Sequence, residues 1–190
     1  MALPDSFKVV RGTTFVFSNS GEYVPTVIAG APTGTDADID LGALGTAGVA
    51  RQSIKLDIGS VNLDDVEIAA YIEWHSAPAA GGAVDIYLGW SDNATAGSKN
   101  PGNLSGTDAV YQGYGADTAS GTEALKQLTF VGSLIATADA TVQYQIVGVV
   151  PQKARYVCLV VVNNSSVNLA NTDAIETCVT LTQLTRQVQD

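Results

Sequence analysis

A single histidine, His75, stands in a chain of 190 residues, and only two cysteines, Cys158 and Cys178, accompany it. Two thiols cannot form the disulfide framework on which small secreted domains depend. Ligands of the Cys/His type are also too few and too scattered for zinc. Both cysteines fall in expected strands, where a free, half-buried thiol is the ordinary outcome. Basic residues are scarce, 9 Lys and Arg against 19 Asp and Glu, for a formal net charge of −10. Such a chain repels phosphates, which disfavours DNA or RNA as a partner. Its acidity serves solubility and suppresses self-association, and it also suits the exterior of a larger assembly. Long apolar runs are missing: the longest, Val157 to Val162, is far too short to cross a bilayer. The first residues, M-A-L-P-D-S-F-K-V-V, lack the charged start and apolar run of a secretory signal. Synthesis in the cytosol, with no membrane partner, is the expectation.

The motifs of common chemistries are missing too. There is no G-x-S-x-G elbow, no phosphate loop and no dinucleotide fingerprint. His75 is expected on the outward face of a strand beside Glu73, as a surface histidine. Asp36-x-Asp38-x-Asp40 begins like a calcium loop, but Leu41 and Ala47 stand where that loop needs glycine and glutamate. Alternating outward aspartates are the simpler reading. Asp64, Asp65, Glu67 and Glu73 supply carboxylates, yet a glycosidase needs two that face each other across a cleft, and strand-face solvation accounts for these. The Asn-x-Ser/Thr triplets that begin at Asn93, Asn103 and Asn164 count as loop composition without a secretory signal. The expectation is a protein with no catalytic residues, no metal and no cofactor.

Alternation of apolar and polar residues is what the sequence has in quantity. Val66, Ile68, Ala70, Ile72 and Trp74 alternate with Glu67, Ala69, Tyr71, Glu73 and His75. Val84, Ile86, Leu88 and Trp90 alternate with Asp85, Tyr87 and Gly89. A period of two means strand, with one face buried. Pro78, Gly81 and Gly82 between the two runs suit a turn, so a hairpin is expected with both tryptophans on one core face. Further strands are expected at Phe7–Val10, Thr13–Phe17, Tyr23–Ala29, Ala37–Leu41, Val49–Ile58, Leu128–Ala136, Thr141–Val150, Arg155–Val162 and Ile175–Leu184. Arg155–Val162 is nearly all apolar and β-branched, as a strand covered on both faces should be. Thr122 can cap a single helical turn. Eight to ten short strands with regular turn signals predict an all-β, antiparallel two-sheet β-sandwich, the jelly roll being among the arrangements this count allows.

One domain is expected, residues 49–190, preceded by an extended segment, 1–48, with short apolar bursts. Those bursts either add to a partner's sheet edge or complete this domain's own sheets. The longest polar tract, Ser91 to Ser120, is the kind of loop that carries function or an interface. Tyr71 and Tyr87, on the outward face of the expected hairpin, and Tyr111 and Tyr114, in the long loop, form the candidate interaction surface. Such tyrosines can stack on sugars, sit at a protein interface, or lie half-buried under a loop.

Three segments, A-V-D-I-Y-L-G-W-S-D-N-A-T-A-G at 83–97, L-K-Q-L-T-F-V-G-S-L at 125–134 and R-Y-V-C-L-V-V-V-N-N-S-S at 155–166, resemble small structural proteins encoded among the virion genes of tailed bacteriophages. The similarity spans Val49 to Leu184. It implies a non-enzymatic sandwich located in the virion that binds other virion proteins, major capsid or tail and fibre subunits, and forms a homo-oligomer. Capsid decoration is the first expectation. The alternative is a carbohydrate- or receptor-binding module of a tail or fibre, with host glycan as partner and the Ser91–Ser120 loop as its surface.

Overall fold

The period-two pattern becomes eleven strands and one short helix in a computed structural model that describes residues 6–19, 34–42, 44–45, 49–60, 64–113, 121–170 and 177–189. In chain order these are β1 (Ser6–Ser18), β2 (Thr35–Asp38), β3 (Val49–Gln52), β4 (Leu56–Asp57), β5 (Asp65–Ile72), β6 (Ala83–Ser91), β7 (Ala109–Val110), α1 (Gly121–Leu125), β8 (Thr129–Ile135), β9 (Gln143–Pro151), β10 (Tyr156–Asn163) and β11 (Cys178–Gln189). They form two sheets, one ordered β2-β1-β11-β5-β9 and the other β7-β3-β10-β6-β8, with β4 also pairing β10. Every described pairing is antiparallel except the short one between β1 and β2. The expected all-β two-sheet sandwich is therefore the observed fold. The expected strand Tyr23–Ala29 lies outside the described residues.

The core sits between the sheets. Ile68, Ala70 and Ile72 of β5, Val179 and Leu181 of β11, and Phe15 and Phe17 of β1 meet Val84, Ile86 and Leu88 of β6 and Val157, Leu159 and Val161 of β10. Each set is every second residue of its strand, so removing these side chains from water is what holds one sheet on the other.

The expected hairpin does not form. β5 pairs with β11 and β9 in the first sheet, whereas β6 pairs with β10 and β8 in the second. Alternation fixes which side chains face the core but is silent on the partner strand. Residues 73–82 carry the chain from one sheet to the other, and Trp74 enters the core on that passage. It is 2% exposed, and its indole N–H donates to Ser165 Oγ at 3.2 Å. Trp90 is only half-buried and packs on the margin of the same core.

The described parts of 1–48 are built into the sandwich rather than extending from it. β1 pairs along its length with β11, and Phe15, Phe17, Ala37, Ile39, Leu41 and Leu44 join the main core. The expected break at Arg11-Gly12 is a register shift between Arg11 and Thr14 within one continuous strand. This favours the second of the two readings given to those apolar bursts.

The outer face of the second sheet is covered as well. Cys158, Val160 and Val162 of β10 pack beneath Leu104, Tyr111, Leu125 and Leu128, contributed by the long polar tract and by α1 with the turn that follows it. That second layer explains why β10 is apolar on both faces. Cys158 and Cys178 are both buried and unbridged, one in each sheet.

Candidate functional site

Four strands of the first sheet present a shallow groove on their outer face. Its floor is made of small residues: Ala69 of β5, Thr14 of β1, and Thr180 and Thr182 of β11. Thr14 and Thr182 stand opposite each other in register and share a hydrogen bond of 2.9 Å between their hydroxyls. Thr182 is in turn opposite Glu67, which pairs with Arg11 to form one wall. The other wall is an aromatic pair. Tyr71 and Tyr144 are cross-strand partners with ring centroids 4.7 Å apart and planes tilted by 44°. Burial, with smaller contributions led by Tyr144, raises the Tyr71 hydroxyl above its ordinary pKa. The enclosed volume is about 190 Å³.

A second feature flanks the side of the sandwich where the sheets meet edge to edge. Phe130 and Ile135 of β8 and Tyr144, Ile146 and Val149 of β9 are each 47–54% exposed. Their outward placement follows from an inversion within β9. Its alternation sets Val142, Tyr144 and Ile146 against Gln143, Gln145 and Val147, and the apolar set is the one that faces water. Gln145 turns toward β8, where its amide accepts from the Ile135 N–H at 3.3 Å and donates to the Ser133 carbonyl at 3.1 Å. Gln143 accepts from the Thr137 N–H at 2.9 Å and donates to the Asp139 carbonyl at 2.7 Å. These amides satisfy backbone groups that an edge strand would otherwise leave unpaired. Between Lys126 and Lys153 the only charged residue is Asp139, so the band is nearly free of charge.

The three described tyrosines of the candidate surface do not converge. Tyr71 lines the groove. Tyr87 lies on the other sheet against Phe130, with ring centroids 5.1 Å apart. Tyr111 offers no surface. It is fully buried, its hydroxyl donates to the Gly102 carbonyl, and burial pushes its pKa up to about 12. The long tract folds back over β10 and carries this ring inward, where a large apolar side chain gains more than it would in water. Tyr114 lies outside the described residues. The groove residues that sequence reasoning missed are Tyr144, Arg11, Glu67 and the threonines. The missed signal was that β9 alternates apolar residues with glutamines, which can face inward when backbone groups of a neighbouring strand need partners.

The remaining polar groups are placed as ordinary structure. His75 is exposed. Asp36 accepts from the Ser18 hydroxyl at 3.1 Å, and Asp40 lies near Arg51, which makes a two-pronged pair with Asp108 at 2.7 and 2.8 Å. Among the described residues, no three His, Cys, Asp or Glu side chains gather closely enough to hold a metal ion. No described helix is long and apolar enough to cross a membrane. Among the described residues, fold and surface define an all-β sandwich with a polar groove and an apolar band. Compared with protein-family models, curated proteins and solved structures, the chain finds no match.

Proposed function

We propose that the chain is a non-enzymatic structural subunit of a tailed-phage virion, a capsid decoration protein that docks on neighbouring subunits, further copies of itself included. The observation that carries this reading is the band of Phe130, Ile135, Tyr144, Ile146 and Val149. Five large apolar side chains are held half-exposed along two adjacent strands of a chain with net charge −10. Apolar residues concentrated in one band mark a contact surface more than a scatter of single ones does. The near absence of charge matters equally. Two acidic surfaces repel each other, so an acidic protein binds acidic neighbours best where like charges are not brought together. The virion setting rests on the resemblance of residues 83–97, 125–134 and 155–166 to phage structural proteins.

Immunogold labelling of intact particles, paired with light scattering of the purified protein, tests the proposal. Label on the head surface is expected. The wild-type chain is expected to self-associate, whereas a Phe130→Ser/Ile146→Ser variant stays monomeric at an unchanged melting temperature. Unlabelled particles with the protein left free in the host lysate would reject the virion role. A double variant that associates like the parent would reject the band.

A further inference from the structure

We infer that the groove between Tyr71/Tyr144 and Arg11/Glu67 is a binding site for one neutral pyranose ring of a glycan. The site shares Tyr144 with the margin of the apolar band, but its other lining residues lie on the outer face of the first sheet, outside both the band and the long polar tract. Three features of the groove converge on that ligand class.

The first is the floor. Thr14 and Thr182 use one hydroxyl proton on each other at 2.9 Å. One O–H and several lone pairs remain free to meet ligand hydroxyls, since each hydroxyl is one donor and two acceptors. Thr180 and Ala69 keep the floor low. The second feature is the aromatic wall. Tyr144 is 54% exposed and leans on Tyr71, which fixes its ring. The electron-rich face of a tyrosine ring suits the weakly positive C–H face of a pyranose, as it suits the edge of another ring. The third feature is the opposite wall. Side-chain exposure is 62% for Arg11 and 14% for Glu67, so the carboxylate is held while the guanidinium faces solvent. A guanidinium has five N–H donors, and most remain available to ligand oxygens.

Charge and size exclude the alternatives. Arg11 and Glu67 neutralise each other, so a phosphate or sulfate would meet Glu67 without a surplus cation, on a chain of net charge −10. An apolar ligand would strand the threonine hydroxyls and the ion pair. At about 190 Å³, the groove is smaller than the roughly 300–1,000 Å³ of sites that enclose drug-sized molecules. Tyr71 is four residues along β5 from Glu67, or about 13 Å at the usual strand rise. That span accommodates one ring with its substituents, and the open ends let an oligosaccharide continue.

Saturation-transfer NMR and calorimetry on the full chain test this with neutral methyl glycosides and trisaccharides of glucose, galactose, mannose and N-acetylglucosamine. Sialylated and sulfated glycans serve as charged comparators. At least one neutral sugar is expected to bind with a Kd of about millimolar, typical of a shallow site. Tyr144→Ala and Thr182→Val should each weaken it by about tenfold or more. Phe130→Ser should leave it unchanged, which separates this site from the docking band. The inference is overturned if no neutral glycan binds, if charged glycans bind better, or if binding survives both groove substitutions in variants that melt like the parent.

Discussion

Val131 and Val147 hold equivalent positions on the two facing edge strands, and each sets its backbone carbonyl against the glycine that follows the other. A Cβ on Gly132 would lie 2.2 Å from the Val147 oxygen, and one on Gly148 would lie 2.7 Å from the Val131 oxygen. Both valines are the extra residue at a register shift. Ile86 and Tyr87 pair with Gly132 and Phe130, skipping Val131, while Ile68 and Ala69 pair with Gly148 and Ile146, skipping Val147. Two Val-Gly bulges thus face each other across the seam, turn both valines toward the core and draw the sheets together.

Gly132→Ala and Gly148→Ala should both destabilise the protein, the first more than the second. Neither glycine needs a left-handed backbone; what each needs is space against main chain that cannot rotate away. Overpacking of this kind costs about 1–3 kcal/mol, and each kcal/mol lowers Tm by about 2–4 °C in a domain of this size. Thermal melts of the two variants check it. An unchanged melting temperature for Gly132→Ala would mean that the seam can part without loss.

The two tryptophans, equivalent in the alternation pattern, should respond differently to truncation. Trp74 is fully enclosed and donates to Ser165, so Trp74→Ala should cost about 3–5 kcal/mol. Trp90 is half-buried, and its indole nitrogen has no hydrogen-bond partner. Trp90→Phe removes that unmatched donor and should be close to neutral, since a buried unpaired donor is itself unfavourable by about 1–3 kcal/mol. Trp74→Phe removes one of the two donors to Ser165 Oγ, leaving the Val167 N–H at 3.3 Å, and opens a gap in a fully enclosed site, so it should fall clearly below wild type. Denaturant titration of the two phenylalanine variants side by side decides it: equal midpoints would contradict the assigned environments.

The outcome at these positions shows what a single sequence carries. Alternation placed Ile68, Ile72, Ile86, Leu88, Val179 and Leu181 on core faces correctly, because burying every second side chain is a local property of a strand. Strand partners were not legible. The assignment of β5 and β6 to opposite sheets depends on residues 73–82 crossing the core, and on β11 pairing β5 from the far end of the chain. The candidate surface failed at Tyr111 for a related reason. A Gly- and Ser-rich tract reads as solvent-exposed, and only the apolar outer face of β10 reveals that something must cover it. The groove was invisible because it joins residues 11, 14, 67, 69, 71, 144, 180 and 182, drawn from four strands that only the topology brings together.

Alkaline pH should weaken the fold in a defined window. Burial pushes Cys158 from 9.0 up to about 11, Cys178 from 9.0 up to about 12 and Tyr111 from 10.0 up to about 12. Each group holds its proton more tightly folded than unfolded. The stability it contributes is therefore complete below the unfolded pKa and is withdrawn as pH rises through the folded value. Melting temperature should hold, as far as these groups are concerned, up to about pH 9 and decline between about 9 and 12. A Cys158→Ala/Cys178→Ala double variant should start lower, having lost packing, but decline less steeply with pH. Parallel slopes for parent and variant across that range would remove the thiols as the cause.

Lys55 should prove essential to the order of the long polar tract. Its ammonium donates to the backbone carbonyls of Asn93, Thr95 and Ser98 at 2.9, 2.8 and 2.9 Å and to Ser91 Oγ at 3.2 Å. Its own N–H donates to the Gly106 carbonyl at 2.9 Å. One side chain thus fills the centre of a loop with the cation that three converging carbonyl dipoles require. In Lys55→Met the stem survives but the donors do not, leaving those carbonyls facing one another without a proton between them. A charged hydrogen bond contributes about 1.5–3 kcal/mol, and partial rescue by water should hold the global loss to about that of one bond. The local effect should be larger. Amide hydrogen exchange across residues 93–106 should speed up well beyond the change seen in β6 and β10, because a loop with few apolar anchors opens on its own before the core does. Exchange that accelerates uniformly across loop and core would show instead that Lys55 supports the whole sandwich and not this tract.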